Sequence, residues 1–252
     1  MLEAQLHKSS VCMTLTYEDV FLPKDHSVSV EHLQQFFKRL RHFQQFRYYA
    51  VGEYGEQTLR PHYHICVFNF PQCFRGKTDL TKKWCCDTCE RVKKDWGKGA
   101  IEIQPLEPAA AAYVAGYVTK KIQAMPLPKN LRPEFQRMSL RPGLGYYVMH
   151  DVAATLNQYD MSDQIDVPMN LQHGKDKMPL GRYLRGKLRI MTGREDKCPE
   201  EIMEQQREKM RPLREDSFNN SKNFKEEIIK ASKGKRLNLL ARTKIKSGRK
   251  SL

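Results

Sequence analysis

The sequence predicts an α+β fold: a central antiparallel β-sheet flanked by helices, with a basic, partly disordered C-terminal tail. Three observations predict it. Four segments of the first half alternate or are rich in β-branched and aromatic residues. Two helical patterns are interleaved with them. The connection between the second and third of these segments is short enough for antiparallel pairing.

The elements follow in order. "VCMTLTY", residues 11–17, reads as a strand with Thr14 and Thr16 on one face. "LPKDHS" is a loop. Ser29 then caps a helix whose apolar stripe is Leu33, Phe36, Phe37, Leu40 and Phe43, with Lys38, Arg39 and Arg41 on its other face. "FRYYAVGEY", 46–54, and "HYHICVFNF", 62–70, are strands joined by the polar turn "GEQTLRP", an antiparallel hairpin. Residues 71–99 read as irregular and cysteine-rich. "IEIQPL", 101–106, alternates as a strand. "EPAAAAYVAGYVTKKI", 107–122, is helical by its alanines, with Pro108 where a helix tolerates proline and Pro126 and Pro128 as a stop. Beyond that, "RPGLGYY" reads as a turn before a short helix, and "GRYLRGKLR" as a basic surface segment. From Arg194 the chain is charged and poor in apolar residues. The implied organisation is a core over 1–125, an extension over 126–193 and a charged tail over 194–252.

Composition narrows the function. Forty-four Lys and Arg against 29 Asp and Glu leave a net charge of +15, which attracts polyanions, nucleic acid first among them. Residues 228–252 hold nine Lys or Arg and no acid, a solvated segment that can bind phosphate without folding first. No apolar run approaches the length needed to span a bilayer, and "MLEAQLHKSS" lacks the hydrophobic stretch of a secretory signal. Seven cysteines, an odd number, argue for reduced thiols and a cytoplasmic setting.

Two motifs carry chemistry. In a strand, His62 and His64 point to one face while Tyr63 points to the other. Two imidazoles so placed can hold one divalent cation. The preceding strand offers Glu53 as a third ligand, with Glu56 nearer the turn. Two nitrogens and a carboxylate, with positions left open, suit Mg²⁺ or Mn²⁺ acting on a phosphodiester. An ordinary pair of polar strand residues is the competing reading. In the helix "YVAGYVTKK", Tyr113 and Tyr117 are four apart on one face, with Lys120 and Lys121 on or beside it; Val114, Val118 and Ile122 form the apolar stripe. The phenols are expected to project away from the core. Gly116, costly inside a helix by about 1 kcal/mol relative to Ala, is explained if another backbone passes close. An amphipathic helix that merely exposes its hydroxyls is the plainer alternative.

Together and in this order, "VCMTLTY", "GEYGEQTLRPHYH", "YVAGYVTKK" and "SLRPGLG" resemble the HUH superfamily of single-strand endonucleases. Within it the chain is similar to the replication initiators of microviruses, the subgroup infecting chlamydiae in particular. The resemblance spans roughly residues 10–190. It implies a ferredoxin-like nuclease sheet that nicks one strand at a viral origin through a tyrosine. The enzyme stays bound to the 5′ phosphate, leaves a 3′ hydroxyl as primer, and later recuts and rejoins the strand. Carried over, the metal motif falls on His62 and His64 and the nucleophile motif on Tyr113, Tyr117 and Lys120. Glu53 is the looser transfer. Single-stranded and origin duplex DNA and a host helicase or polymerase are the implied partners, in the cytoplasm of a bacterial host. Arg60, Lys121 and Arg141 are candidate phosphate contacts by position. Cys73, Cys85, Cys86 and Cys89 are spaced irregularly for zinc, and free loop thiols are the expected reading. The rival from another class is a basic nucleic-acid-binding protein without catalysis, whose sheet aromatics stack bases.

Overall fold

The computed structural model describes residues 1–55, 57–75, 85–120, 127–159, 164–174, 176–220, 223–226 and 228. The chain divides into two compact units, Met1–Thr155 and Leu156–Leu252.

The first unit runs α1 (Leu2–Gln5), β1 (Ser10–Thr16), α2 (Val30–Arg41), β2 (Arg47–Tyr54), β3 (Pro61–Phe68), α3 (Asp87–Trp96), β4 (Ile101–Pro105), α4 (Pro108–Lys120), β5 (Phe135–Met138) and most of α5 (Val148–Gln158). The five strands form one antiparallel sheet in the order β4-β1-β3-β2-β5. The first four make the β-α-β-β-α-β arrangement of a ferredoxin-like sheet, and β5 adds an edge. The α+β fold is therefore as expected, with β2 and β3 pairing as the predicted hairpin.

Alternation places the core. Val11, Met13 and Leu15 of β1 and Tyr63, Ile65 and Val67 of β3 are fully buried on one face, with Leu33, Phe36, Phe37 and Leu40 of α2 and Val92 and Trp96 of α3. Ser29 caps α2 as predicted, its Oγ accepting from the His32 N–H at 3.1 Å. Phe43 lies past the last residue of α2 and is exposed, so it does not extend the stripe. Helix α3 stands where the sequence predicts irregular chain. It is held by an apolar stripe of Cys89, Val92 and Trp96, by Asp87 and Glu90 in its first turn, and by Gly97 closing it with φ of +59°. The Trp96 indole N–H donates to the Thr16 carbonyl at 2.8 Å, and its ring packs 5.6 Å from that of Tyr63.

The opposite face buries Cys12, Val51, Cys66 and Phe68 under Val114 of α4. Strand β5 is an addition to the predicted elements; it docks beside β2 at Gly52. A Cβ on Gly52 would lie 2.9 Å from the Phe135 ring and 3.2 Å from that of Tyr63, so only glycine lets the two aromatics close over the strand.

Tyr63, between the two histidines, anchors β3 to α2. Its hydroxyl donates to the Ser29 carbonyl (3.0 Å), accepts from the Ser29 N–H (2.9 Å), and lies 2.7 Å from the Tyr17 hydroxyl. Phenylalanine there strands the buried Ser29 N–H. The expected cost is about 1–3 kcal/mol, read as a lower urea midpoint with unchanged slope.

In the second unit, β6 (Asn170–His173) and β7 (Asp176–Pro179) form a hairpin, followed by α6 (Gly181–Met191) and α7 (Glu200–Asn219). "GRYLRGKLR" is thus a helix rather than only a basic surface: Leu188 and Arg189 are buried. The basic segment from 229 onward lies outside the described residues. No helix among the described residues is long and apolar enough to cross a membrane.

Candidate metal and nucleophile site

Strand register builds the site. Glu53 lies directly across from His62, Thr14 across from His64, and Thr16 across from His62 on the other side. Directly paired residues share a face, so two imidazoles, a carboxylate and two threonines meet on the α4 side of the sheet. The His62 Nε2–H donates to Glu53 Oε1 at 2.7 Å, and His64 Nε2 lies 3.1 Å from the same oxygen. The ligand atoms of all three residues lie within 4.8 Å of one another. Glu56, the alternative carboxylate, lies outside the described residues.

The ring nitrogens turned away from Glu53 are also engaged. His62 Nδ1 donates to the Arg60 carbonyl at 3.1 Å, and His64 Nδ1 lies 3.2 Å from Thr14 Oγ1. Such partners fix ring orientation and leave both Nε2 atoms aimed at one point. Glu53 is 5% exposed. Burial alone would raise its pKa, but the hydrogen bonds from His62 and His64 outweigh burial and hold the carboxyl below the ordinary carboxylate range. Burial likewise opposes charge on His62, and the Glu53 and Arg60 partners outweigh it, raising the imidazole pKa.

Helix α4 lies over β2 and β3. Val114 is fully buried against the sheet, and the neighbouring Tyr113 ring stands edge-on to His64, centroids 5.5 Å apart. Tyr113 is about half exposed, so it does not project wholly away from the sheet as predicted; it leans on the histidine face while remaining open to solvent. Tyr117 lies one turn further along α4 and Lys120 is its last residue. Their side chains, and all of Lys121, fall outside the described residues. A Cβ on Gly116 would meet nothing within 4 Å, so that stretch of α4 presents bare backbone.

The two arginines expected as phosphate contacts stand differently. The Arg60 guanidinium donates to the Tyr17 carbonyl at 2.7 Å and pairs with Asp19 at 2.6 Å. Beside the histidines, Arg60 contributes its carbonyl. Arg141 is exposed on the connection after β5. Within the same "SLRPGLG" stretch, the buried Glu3 carboxylate accepts from the Gly145 N–H at 2.6 Å and pairs with Arg47 at 2.7 Å, so this motif is tied to the N-terminal helix.

Sequence reasoning places Thr14 on the right face without giving it a part. The signal is the alternation of "VCMTLTY" together with "HYH"; the missing information is the register that puts Thr14 beside His64.

Comparison with known proteins agrees with the motif order. Residues 10–122 match the model of a family of replication-associated proteins described under the name ORF2. The chain is 36% identical over 148 residues to the replication-associated protein ORF2 of Spiroplasma virus 4, covering 54% of this chain and 46% of that one. It is 30% identical over 136 residues to the replication-associated protein VP4 of Bdellovibrio phage phiMH2K, covering 48% and 41%. It is 29% identical over 131 residues to the replication-associated protein ORF4 of Chlamydia phage 1, covering 48% and 33%. The matched stretch thus spans less than half the length of each of these relatives. No solved structure matches.

Proposed function

We propose, for a chain whose residues 10–122 fall within that replication-associated protein family, that it is a single-strand DNA endonuclease and ligase. It initiates and terminates rolling-circle replication of a small single-stranded DNA phage in the bacterial host. One observation carries the reading. Glu53, His62 and His64 converge on one point, and the Tyr113 ring stands against His64 on the same sheet face.

The donor set fits a divalent metal. Two imidazole nitrogens and one carboxylate oxygen approach closely, each ring oriented from behind by the Arg60 carbonyl or Thr14. Mg²⁺ or Mn²⁺ held there supplies Lewis-acid polarisation of the scissile phosphate. The chain's own residues do the rest. Tyr113 Oη attacks phosphorus; the P–O3′ bond breaks; the phenolic proton ends on the departing 3′ oxygen. The products are a phosphotyrosine on the 5′ side and a free 3′ hydroxyl. Tyr117, one turn along the helix, is assigned the second cut, and Lys120 the neutralisation of phosphate charge nearby. Attack of the 3′ hydroxyl on the phosphotyrosine reverses the step and seals the strand. The open backbone at Gly116 and the +15 net charge support a DNA strand passing over α4. Arg141 and Lys121 are assigned to the same strand. Origin duplex and a host helicase or polymerase complete the proposed partners.

Incubation with an origin-sequence single strand and Mn²⁺ is expected to give a covalent protein–DNA band on a denaturing gel. Either single tyrosine-to-phenylalanine variant retains some adduct. The double variant Tyr113→Phe/Tyr117→Phe loses it by a factor on the order of 10⁴ or more. A band that persists in the double variant, or wild-type binding that responds to salt and ignores EDTA, favours the non-catalytic binder instead.

A further inference from the structure

We propose that Cys73, Cys85, Cys86 and Cys89 bind one structural zinc ion, separate from the histidine site. The four sulfurs lie within 4.8 Å of one another, and all four residues are buried. Individual separations are 3.3 Å for Cys73–Cys85, 3.5 Å for Cys86–Cys89 and 4.0 Å for Cys73–Cys86. Four thiolates arranged tetrahedrally at about 2.3 Å from zinc place their sulfurs somewhat under 4 Å apart, the middle of the observed spread. A multi-iron cluster needs its cysteines wider apart than this.

The sequence spacing looks irregular because only Cys86-x-x-Cys89 is a conventional pair. Folding supplies the other two: Cys73 follows β3, and Cys85 stands beside Cys86 at the entry to α3. Thiols are weak partners for one another, so packing four together in an apolar interior gains little unless something binds them. Cys86 is the N-cap of α3 and makes no capping hydrogen bond with its side chain, while its carbonyl accepts from the Glu90 N–H at 2.9 Å. The positive end of that helix favours thiolate.

Zinc binding displaces up to four thiol protons and leaves no open coordination position. The ion therefore holds structure and does not take substrate. It ties the connection between β3 and α3 to the core. Helix α3 in turn sets Trp96 against Tyr63, beneath the strand that carries His62 and His64.

The test is metal analysis of the full chain purified without added metal. Expected is one zinc per chain that survives dialysis against a mild chelator and is released by a mercurial thiol reagent. Cys73→Ser and Cys89→Ser lose it; Cys198→Ser and His62→Ala/His64→Ala keep it. Because the cysteine variants can misfold, wild type loaded with Co²⁺ gives an independent readout: thiolate-to-cobalt charge transfer and intense tetrahedral d–d bands. Folded wild type without zinc, iron in its place, zinc lost with the histidines, a weak octahedral cobalt spectrum, or a disulfide among the four by mass spectrometry each overturns the proposal.

Discussion

His64→Ala is expected to reduce formation of the covalent DNA adduct by at least about 10³-fold, the scale on which preorganised charge stabilisation fails when a key donor is removed. The substitution takes away one of the two imidazoles facing Glu53 and the ring against which Tyr113 stands. It therefore removes a metal ligand and loosens the nucleophile together. Thr14→Val is the informative contrast. It keeps every proposed ligand and deletes only the hydroxyl beside His64 Nδ1. Loss of such an orienting partner typically costs about 10–100-fold in metal affinity, so the Thr14 variant should recover with added Mn²⁺ while the His64 variant does not. Titrating Mn²⁺ against adduct yield separates the two. Equal rescue of both would mean that His64 is not a ligand.

That contrast marks how far the sequence can be read. The shared face of His62 and His64 follows from strand periodicity alone, and the hairpin that brings up Glu53 follows from a short polar turn. Thr14 needs the register of β1 against β3, a non-local fact. Position beside "HYH" puts Arg60 near phosphate, but the fold turns its guanidinium to Asp19 and the Tyr17 carbonyl. The cysteines show the same limit: a spacing rule applied along the chain cannot see Cys73 returning to Cys85.

Among the elements, β1 to β4 and α2 are legible because alternation and an apolar stripe are local signals. Helix α3 has its signals too, in acidic residues at the start, lysines at the end and Gly97 beyond. Its stripe is only Cys89, Val92 and Trp96, and the surrounding cysteines read as loop chemistry. Strand β5 is four residues, "FQRM", too short to show a period; its place depends on the space that Gly52 leaves for Phe135. In "GRYLRGKLR", composition points to solvent while one arginine turns inward, because its partner lies twenty-three residues away.

That partner gives the second large effect. Asp166→Asn is expected to destabilise the second unit by about 3–5 kcal/mol, the usual result of removing one member of a buried ion pair. Arg189 grips both carboxylate oxygens, Nε to Oδ1 at 2.6 Å and Nη2 to Oδ2 at 2.7 Å, and Arg185 bonds Oδ2 as well. Both Asp166 and Arg189 side chains are 5% exposed, so asparagine leaves a buried guanidinium facing a neutral amide. Burial alone would raise the Asp166 pKa; the Arg189 hydrogen bonds outweigh it and hold the carboxyl below its ordinary value. The folded pKa is thus depressed. The stabilisation is fully present above the unfolded value of about 3.9 and is lost as pH falls through the folded value. Hydrogen exchange of peptides from α6 in the full chain reads this directly. At neutral pH the variant should exchange roughly 10²- to 10³-fold faster, up to the limit set by the unit's own stability. Wild type should approach the variant only in acid. Equal protection of the two at neutral pH would mean that Arg189 is held by its packing and its bond to the Asp196 carbonyl, with the carboxylate contributing nothing net.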